Sequence, residues 1–153
     1  ASLLTQEGVE IVRNIRDNNW IDEGPETSSF SGFPGHLKNI TEMDDCIVDP
    51  IERMIHEPSI NKNLYFYDEY YRIKISSATP ESDKTKFGRK LIFKYFCCSE
   101  SVCEPCSIPE GANLAVVTSM VIWNKEGKFP EMGDCNTETE CAYTQINLNS
   151  WGE

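Results

Sequence analysis

The distribution of seven cysteines constrains the fold of this chain more than any other feature. They are Cys46, Cys97, Cys98, Cys103, Cys106, Cys135 and Cys141. Such a density is typical of either an oxidised disulfide framework or a metal site. Structural zinc sites usually combine two short-spaced cysteine pairs, and only Cys103 and Cys106 have that spacing, with no histidine close to the cluster. The spacing therefore favours disulfides and predicts no metal site.

Local geometry restricts the pairing of these cysteines without determining it. Cys97 and Cys98 are neighbours, so in a strand they point to opposite faces and need different partners. Cys135 and Cys141 flank a polar loop and form a natural small-loop pair. Three disulfides leave one thiol over, which could be buried, modified or joined to another molecule. A disulfide-linked homodimer is therefore one hypothesis.

Length and charge narrow the class of protein. A chain of 153 residues with 39% hydrophobic residues is sized for one domain with its own core. No apolar run approaches the roughly 20 residues that cross a bilayer, so no membrane span is expected. The net charge of −11 disfavours nucleic acids and anionic membrane surfaces, because both require a basic surface.

Two further features bear on the compartment. Asn39, Ile40 and Thr41 form an N-glycosylation sequon, which agrees with secretion. The chain begins at Ala1 without methionine, and we expect it to be a mature or trimmed form. Together with the cysteines, these features predict a secreted, extracellular glycoprotein with disulfide bonds.

Residues 1–58 are predicted to form helices and loops. A one-sided apolar stripe predicts a helix over Gln6–Asn18 with Thr5 as its cap. A second start signal at Asp49 and Pro50 predicts a short helix that ends near His56. The glycine- and proline-rich segment between the two reads as loop.

Residues 64–150 change to the alternating period of strands and predict an antiparallel sheet. Strands are expected at 64–75, 90–98, 114–123 and 142–148, with a polar connector over 80–88, and the first two are expected to pair as a hairpin. The segment 114–123 is apolar on both faces, as in a central strand. The predicted fold class is α+β and mainly β, a single domain over 1–153 in which a helical region precedes a disulfide-stapled sheet of four or more strands.

The residues of the chain do not indicate catalysis. His36 lies in a loop, and His56 at a predicted helix end has no evident nucleophile or orienting partner. No glycine-rich phosphate loop, zincin helix or nucleophile elbow is present. We therefore expect a protein that is not an enzyme and uses no cofactor.

One short segment has a family resemblance. Asn149, Ser150, Trp151 and Gly152 resemble the asparagine-containing motif of papain-like cysteine proteases, and residues 4–20 resemble the helix-then-tryptophan propeptide of cathepsin B-like enzymes. The chain departs from that family because it has no Cys-Gly-Ser-Cys-Trp nucleophile motif, so no catalytic role is carried over. The resemblance supports protease inhibition as one alternative function.

The aromatic segment that follows Leu64 is the candidate binding site. Exposed tyrosines beside carboxylates offer contact area and attraction for a basic protein, and the residues expected to act this way are Tyr67, Asp68, Glu69 and Tyr70. The resulting hypothesis is an extracellular protein that captures a cationic partner such as a cytokine or chemokine, and so modulates immunity. The other alternative is a small-ligand carrier with a lipocalin-like barrel, although such barrels need about eight strands and only four or five can be read.

Overall fold

The computed structural model describes residues 1–23, 30, 33–35, 40–49, 54–57, 63–67, 70–73, 84–108 and 110–150. One α-helix, one 3-10 helix (Met132–Asp134) and eight strands lie in these ranges. In chain order the α-helix and the strands are α1 (Ser2–Glu23), β1 (Glu42–Asp49), β2 (Met54–His56), β3 (Asn63–Tyr67), β4 (Tyr70–Ile73), β5 (Lys84–Cys98), β6 (Cys103–Pro105), β7 (Leu114–Ile122) and β8 (Cys141–Asn149). The predicted α+β fold, with a helical start and a stapled antiparallel sheet, is confirmed.

Strand β5 organises the sheet because it has neighbours along both edges. On one edge it pairs with β7 from Gly88 to Phe96, and β8 follows β7. The other edge pairs in turn with β3, β1 and β6. Strands β4 and β2 extend this side by pairing with β3 and β1. Among the described strands the sheet is open, since β2, β4 and β8 each have a single strand neighbour.

Helix α1 packs along one face of the sheet, which we call the inner face. Its apolar side chains recur at helical spacing and are buried: Leu4, Val9, Val12 and Ile15. The helix begins earlier and ends later than the predicted Gln6–Asn18. Thr5 is not its cap; it lies in the first turn, where its hydroxyl donates to the Ser2 carbonyl at 2.8 Å and contacts the Thr144 hydroxyl on β8 at 2.7 Å.

The prediction of helix and loop for residues 1–58 holds at residues 30 and 33–35, which lie in turns or bends, but is wrong further along the chain. Residues 42–49 form β1, and Met54–His56 form β2 instead of the end of a short helix. Backbone pairing explains the difference, because Ile47 lies opposite His56 and Val48 opposite Ile55 in an antiparallel ladder. Local capping signals favour a helix here, but pairing with β1 satisfies more backbone groups than one isolated helical turn would. Residues 50–53 lie outside the described residues.

Two strand boundaries also differ from the prediction. The segment predicted as one strand over 64–75 forms the hairpin β3–β4, in which Tyr67 lies opposite Tyr70. The predicted connector over 80–88 contains the start of β5, which begins at Lys84. Gly88 lies opposite both Asn63 and Ile122, so β5 already has two strand neighbours there. The aromatic segment does pair with β5, but through β3 and residues 84–88, so the predicted hairpin with residues 90–98 is wrong.

The core lies between α1 and the inner face. It contains Phe93 and Tyr95 from β5, and Phe30 and Phe33 pack against them with ring centroids 5.5 Å (Phe33 to Phe93) and 6.5 Å (Phe30 to Tyr95) apart. Gly8 permits the close approach of α1, because a β-carbon at that position would lie 2.4 Å from the Ser119 Oγ.

A buried cation lies beneath the helix. Arg89 on β5 is 2% exposed, and its guanidinium donates to the Glu7 carboxylate at 3.2 Å and to the carbonyls of Leu4 and Val48 at 3.3 and 3.4 Å. Burial lowers the pKa of Arg89, while the carboxylates of Glu7 and Asp49 act in the opposite direction. These bonds tie α1, β1 and β5 to one side chain.

Three disulfides staple the second half of the chain: Cys97–Cys106, Cys98–Cys103 and Cys135–Cys141. The expectations that Cys97 and Cys98 take different partners and that Cys135 pairs with Cys141 are confirmed. Cys46, one of the seven cysteines that are candidates for disulfides in the sequence, is the unpaired thiol. It lies on β1 in the core, and all six other cysteines pair locally among themselves.

Candidate functional site

The face of the sheet opposite α1, which we call the outer face, is only partly covered. Alternation along β5 directs Lys90, Ile92, Lys94 and Phe96 to this face. The segment 123–140, which we call the stapled loop, covers one end of it. Apolar side chains from the two sides form a small cluster there, with Phe129, Met132 and Cys135 against Met120, Ile122 and Cys141.

Beside the stapled loop the outer face forms a groove of about 540 Å³, which we call the outer groove. Half-buried apolar side chains lie along it, among them Ile92, Phe96 and Val116. Carboxylates line its sides, from Glu42 and Asp44 on β1 and from Glu131 on the stapled loop. The groove therefore offers apolar surface next to negative charge.

Lysines in the groove are paired with acids. Lys90 is 8% exposed, and its ammonium lies 3.0 Å from the Asp44 carboxylate, 3.6 Å from that of Asp45 and 5.4 Å from the Phe129 ring centroid. A β-bulge between Met43 and Cys46 brings the two aspartates to this position. Lys94 lies 3.6 Å from Glu42. Both cations are thus partly neutralised by β1.

Most of the net charge of the chain lies in its C-terminal part. Residues 95–153 contain nine acidic residues and two lysines. In the segment 97–113, which we call the disulfide corner, and in the stapled loop, the exposed acids are Glu100, Glu104, Glu110, Glu126, Glu131, Asp134 and Glu138. The disulfides Cys97–Cys106 and Cys98–Cys103 enclose Glu104 and Glu100, and Cys135–Cys141 encloses Glu138, so these three charges stand on backbone that a disulfide constrains.

Side-chain hydrogen bonds hold the disulfide corner in place. The Asn113 side chain donates to the Cys98 carbonyl and accepts from the Cys98 N–H, both at 2.7 Å, as a neighbouring strand would. The Ser107 N–H donates to the exposed Glu110 carboxylate at 3.0 Å, and hydrogen bonds from Ser107 lower the pKa of Glu110. Glu110 therefore keeps its negative charge at mildly acidic pH.

The predicted binding residues fall on the β3–β4 hairpin. Tyr67 and Tyr70 occupy directly opposed positions at the end of its ladder, so the fold brings their backbones together. Asp68 and Glu69, and the side chains of the two tyrosines, lie outside the described residues, as does the sequon residue Asn39. Tyr143 on β8 is an exposed tyrosine that the prediction did not select, although the alternation of β8 already placed it on the polar side.

The unpaired thiol is inaccessible. Cys46 is fully buried, and burial, with the nearby carboxylates of Glu57, Asp44 and Asp45, raises its pKa to about 12. Burial likewise raises the pKa of Tyr95, whose hydroxyl donates to the Pro34 carbonyl at 2.7 Å. A thiol held protonated in the core is a poor nucleophile and metal ligand. A disulfide through Cys46 to a second molecule would require the core to open.

Few groups in the described part of the chain have an arrangement suited to catalysis. His56 lies on β2, and its Nε2 is buried without a hydrogen-bond partner among the described residues. Within the same ranges, no three His, Cys, Asp or Glu side chains cluster as metal ligands. Among the described residues, no helix is both long and apolar enough to cross a membrane.

Comparison with known proteins adds no relative. No family model, curated protein or solved structure matches the chain. The function is therefore inferred from the chemistry of its own surface.

Proposed function

We propose that this chain is an extracellular, non-enzymatic binding protein that captures a cationic protein, such as a cytokine or chemokine. The proposed surface consists of the disulfide corner, the stapled loop and the outer groove, which together we call the acidic outer side. The observation that carries the proposal is the exposure of seven acids in the disulfide corner and the stapled loop, three of which lie inside disulfide-closed loops: Glu100, Glu104 and Glu138. Charges fixed on constrained backbone lose little conformational entropy on binding, so they attract a basic partner efficiently.

The outer groove supports the same reading. Interfaces combine a buried apolar centre with a polar rim, and the groove has half-buried Ile92, Phe96 and Val116 surrounded by carboxylates. The two lysines inside the groove are paired with acids, Lys90 with Asp44 and Lys94 with Glu42. A partner that presents apolar side chains between lysines or arginines fits this surface.

The aromatic hairpin is the second part of the proposed surface. Its backbone brings Tyr67 and Tyr70 opposite one another, with Asp68 and Glu69 between them in sequence. We expect these residues to contribute contact area and negative charge. The three disulfides are consistent with an extracellular location, and we expect Asn39 to carry a glycan in that setting.

The open sheet gives the lipocalin-like alternative less support. A carrier of that kind encloses its ligand in a closed barrel, whereas β4 and β8 are edge strands within the described residues. The cleft beside the outer groove has a volume of about 1140 Å³ and is lined largely by charged and polar groups, among them Asp44, Asp45, Lys84 and Glu140. Such a lining suits a protein surface better than an apolar small molecule.

A binding screen tests the proposal. The glycosylated, oxidised chain is immobilised and exposed to a panel of chemokines and cytokines that covers a range of net charge at similar size. We expect affinity to rise with the positive charge of the panel member and submicromolar binding for at least one basic protein. Binding confined to acidic or neutral members would contradict the proposal, and so would no binding to any member.

A protease assay tests the alternative function, protease inhibition. A set of papain-like cysteine proteases is assayed with a peptide substrate in the presence of the chain. We expect no inhibition at concentrations that saturate the cationic partner. Tight inhibition together with no binding to basic proteins would replace the proposed function with protease inhibition.

A further inference from the structure

We propose that the free edge of β8 binds an extended segment of the cationic partner as an added antiparallel or parallel strand. The inference rests on the proposed function for the identity of the guest, but on the sheet alone for the site. The proposed contact is made by backbone N–H and C=O groups, whereas the acidic surface acts through side-chain charges.

Two hydrogen bonds at the ends of β8 show which of its residues form backbone hydrogen bonds with β7. The Trp123 N–H donates to the Glu140 carbonyl and the Ser150 N–H donates to the Asn113 carbonyl, both at 2.9 Å. Since bonded pairs alternate along an antiparallel ladder, Ala142, Thr144, Ile146 and Leu148 turn their backbone groups toward β7. The odd-numbered residues from Cys141 to Asn149 turn theirs away.

Both ends of this outward row are capped by the chain itself. The Cys141 N–H donates to the Asn136 carbonyl at 3.0 Å, and the Asn149 carbonyl accepts from the Arg16 guanidinium at 3.2 Å. Between the caps, the backbone groups of Tyr143, Gln145 and Asn147 have no partner in the described part of the chain. These three residues, which we call the window, present three N–H and three C=O groups. That number suits about five residues of a guest strand.

The sequence of β8 has none of the usual protection of an edge. Natural sheets block exposed edges with lysine, other charged residues, proline or a covering element. Strand β8 has nine residues and none of them is charged or proline, in a chain with 25% charged residues. Its register with β7 is continuous, without a bulge that would turn the edge away.

Charge decides between the guests that this edge could accept. A second copy of the chain would bring another net charge of −11 to the same place. The stapled loop leads directly into one end of β8, and the disulfide corner is bonded to the other end through Asn113 and Ser150. At the end that joins the stapled loop, Glu138 and Glu140 directly precede β8 in sequence. A guest strand with lysine or arginine near that end matches this charge and a second copy does not.

Amide exchange measured with a defined peptide tests the site. The probe is a synthetic capped peptide of about eight alternating lysine and valine residues, added to the whole oxidised chain. We expect the amide protons of Tyr143, Gln145 and Asn147 to exchange fast in the free protein and more slowly with peptide bound. Those of Thr144, Ile146 and Leu148 are slow in both states. The same peptide N-methylated at its two central residues, which blocks both of its edges, should not protect the window.

Two variants at one position provide the matched affinity test. Gln145→Pro removes an outward N–H and leaves the ladder to β7 intact, whereas Gln145→Ala removes the same side chain and keeps the N–H. We expect the peptide to bind Gln145→Pro about tenfold more weakly than Gln145→Ala. Equal affinity for the two variants, or unchanged exchange at the three amides of the wild-type chain, would overturn the proposal. If Gln145→Pro does not fold, the amide-exchange result on the wild-type chain decides the proposal.

The remaining outcomes separate the two proposals. Binding of basic proteins without protection of the window would overturn strand addition and leave the proposed function standing. Protection by the peptide without binding of any basic protein would support the edge site and refute the proposed function. A concentration-dependent dimer of the free chain that Gln145→Pro abolishes would overturn the proposal by making a second copy the occupant.

Discussion

The two faces of the sheet differ in how far they are covered. The inner face is closed by α1, with Arg89 and Cys46 buried and Gly8 pressed against Ser119. The outer face is partly open, and the exposed acids stand on the disulfide corner and the stapled loop. The inner face is constrained by packing and hydrogen bonding, whereas these two segments are constrained in part by disulfides and keep their charged side chains in water.

This comparison yields graded predictions. Substitutions on the inner face should change the free energy of unfolding and leave binding intact wherever the chain still folds. Substitutions on the outer segments should do the reverse.

The largest effect is expected for Arg89→Ala. The substitution leaves the Glu7 carboxylate and the Leu4 and Val48 carbonyls without their shared donor, so we expect a loss of about 3–5 kcal/mol in the free energy of unfolding. Urea denaturation followed by circular dichroism measures it. Arg13→Ala is the matched control, because Arg13 forms an exposed ion pair with Glu10 and should cost about 0.5 kcal/mol or less.

The second-largest expected effect is a loss of folding stability at alkaline pH that depends on the Cys46 thiol. Its pKa rises from 9.0 to about 12 on folding, so the folded chain holds the thiol proton more tightly than the unfolded chain. The stabilisation is fully present below the unfolded pKa and is lost as the pH rises toward the folded pKa. Between about pH 9 and about pH 11, the wild type should therefore lose up to about 2 kcal/mol more than Cys46→Ala. Parallel slopes for the two proteins would contradict the buried, protonated thiol.

A smaller effect is expected for Gly8→Ala. Alanine favours a helix by about 1 kcal/mol over glycine, but its β-carbon would overlap the Ser119 side chain, and such overpacking costs about 1–3 kcal/mol. We expect a net loss of about 1 kcal/mol in thermal or urea denaturation. Gly133→Ala is the control, since a β-carbon there meets nothing within 4 Å. A stabilised Gly8→Ala variant would show that α1 does not press against β7 as described.

The smallest effect on stability is expected on the outer side. The corner variant neutralises Glu100 and Glu104, and the loop variant neutralises Glu131, Asp134 and Glu138, each by substitution with the corresponding amide. These carboxylates are exposed, so each variant should keep the free energy of unfolding within about 0.5 kcal/mol of the wild type. A large loss would mean that the acids serve the fold and are not available for a partner.

How far the sequence predicts this molecule depends on where the decisive contacts lie. Strand β7 follows from a continuous apolar run, β8 from local alternation and the pair Cys135–Cys141 from short spacing, so all three were predictable. Strand β1 was not, because its pairing with β5 joins residues far apart in sequence. Without β1, neither the Lys90–Asp44 contact nor the outer groove could be predicted. Likewise Gly8 reads as a weak helix residue until its contact with Ser119 is known.

The candidate site divides in the same way. The concentration of acids in residues 95–153 and the exposed Tyr143 are visible in the sequence. The open window of β8 is not, since it depends on which residues turn away from β7 and on caps from Asn136 and Arg16. The selected residues Tyr67, Asp68, Glu69 and Tyr70 remain a prediction, for which the hairpin supplies the position.

The most direct test of the central claim is the salt dependence of binding to the basic protein selected in the screen. Affinity of the wild type is measured over a range of ionic strength and compared with the corner and loop variants, with a control in which Glu10 and Asp17 on α1 are neutralised. We predict a steep fall of affinity with salt for the wild type and the control, and a shallower one for the corner and loop variants. Equal slopes for all four proteins, or affinity independent of salt, would contradict capture by the acidic outer side.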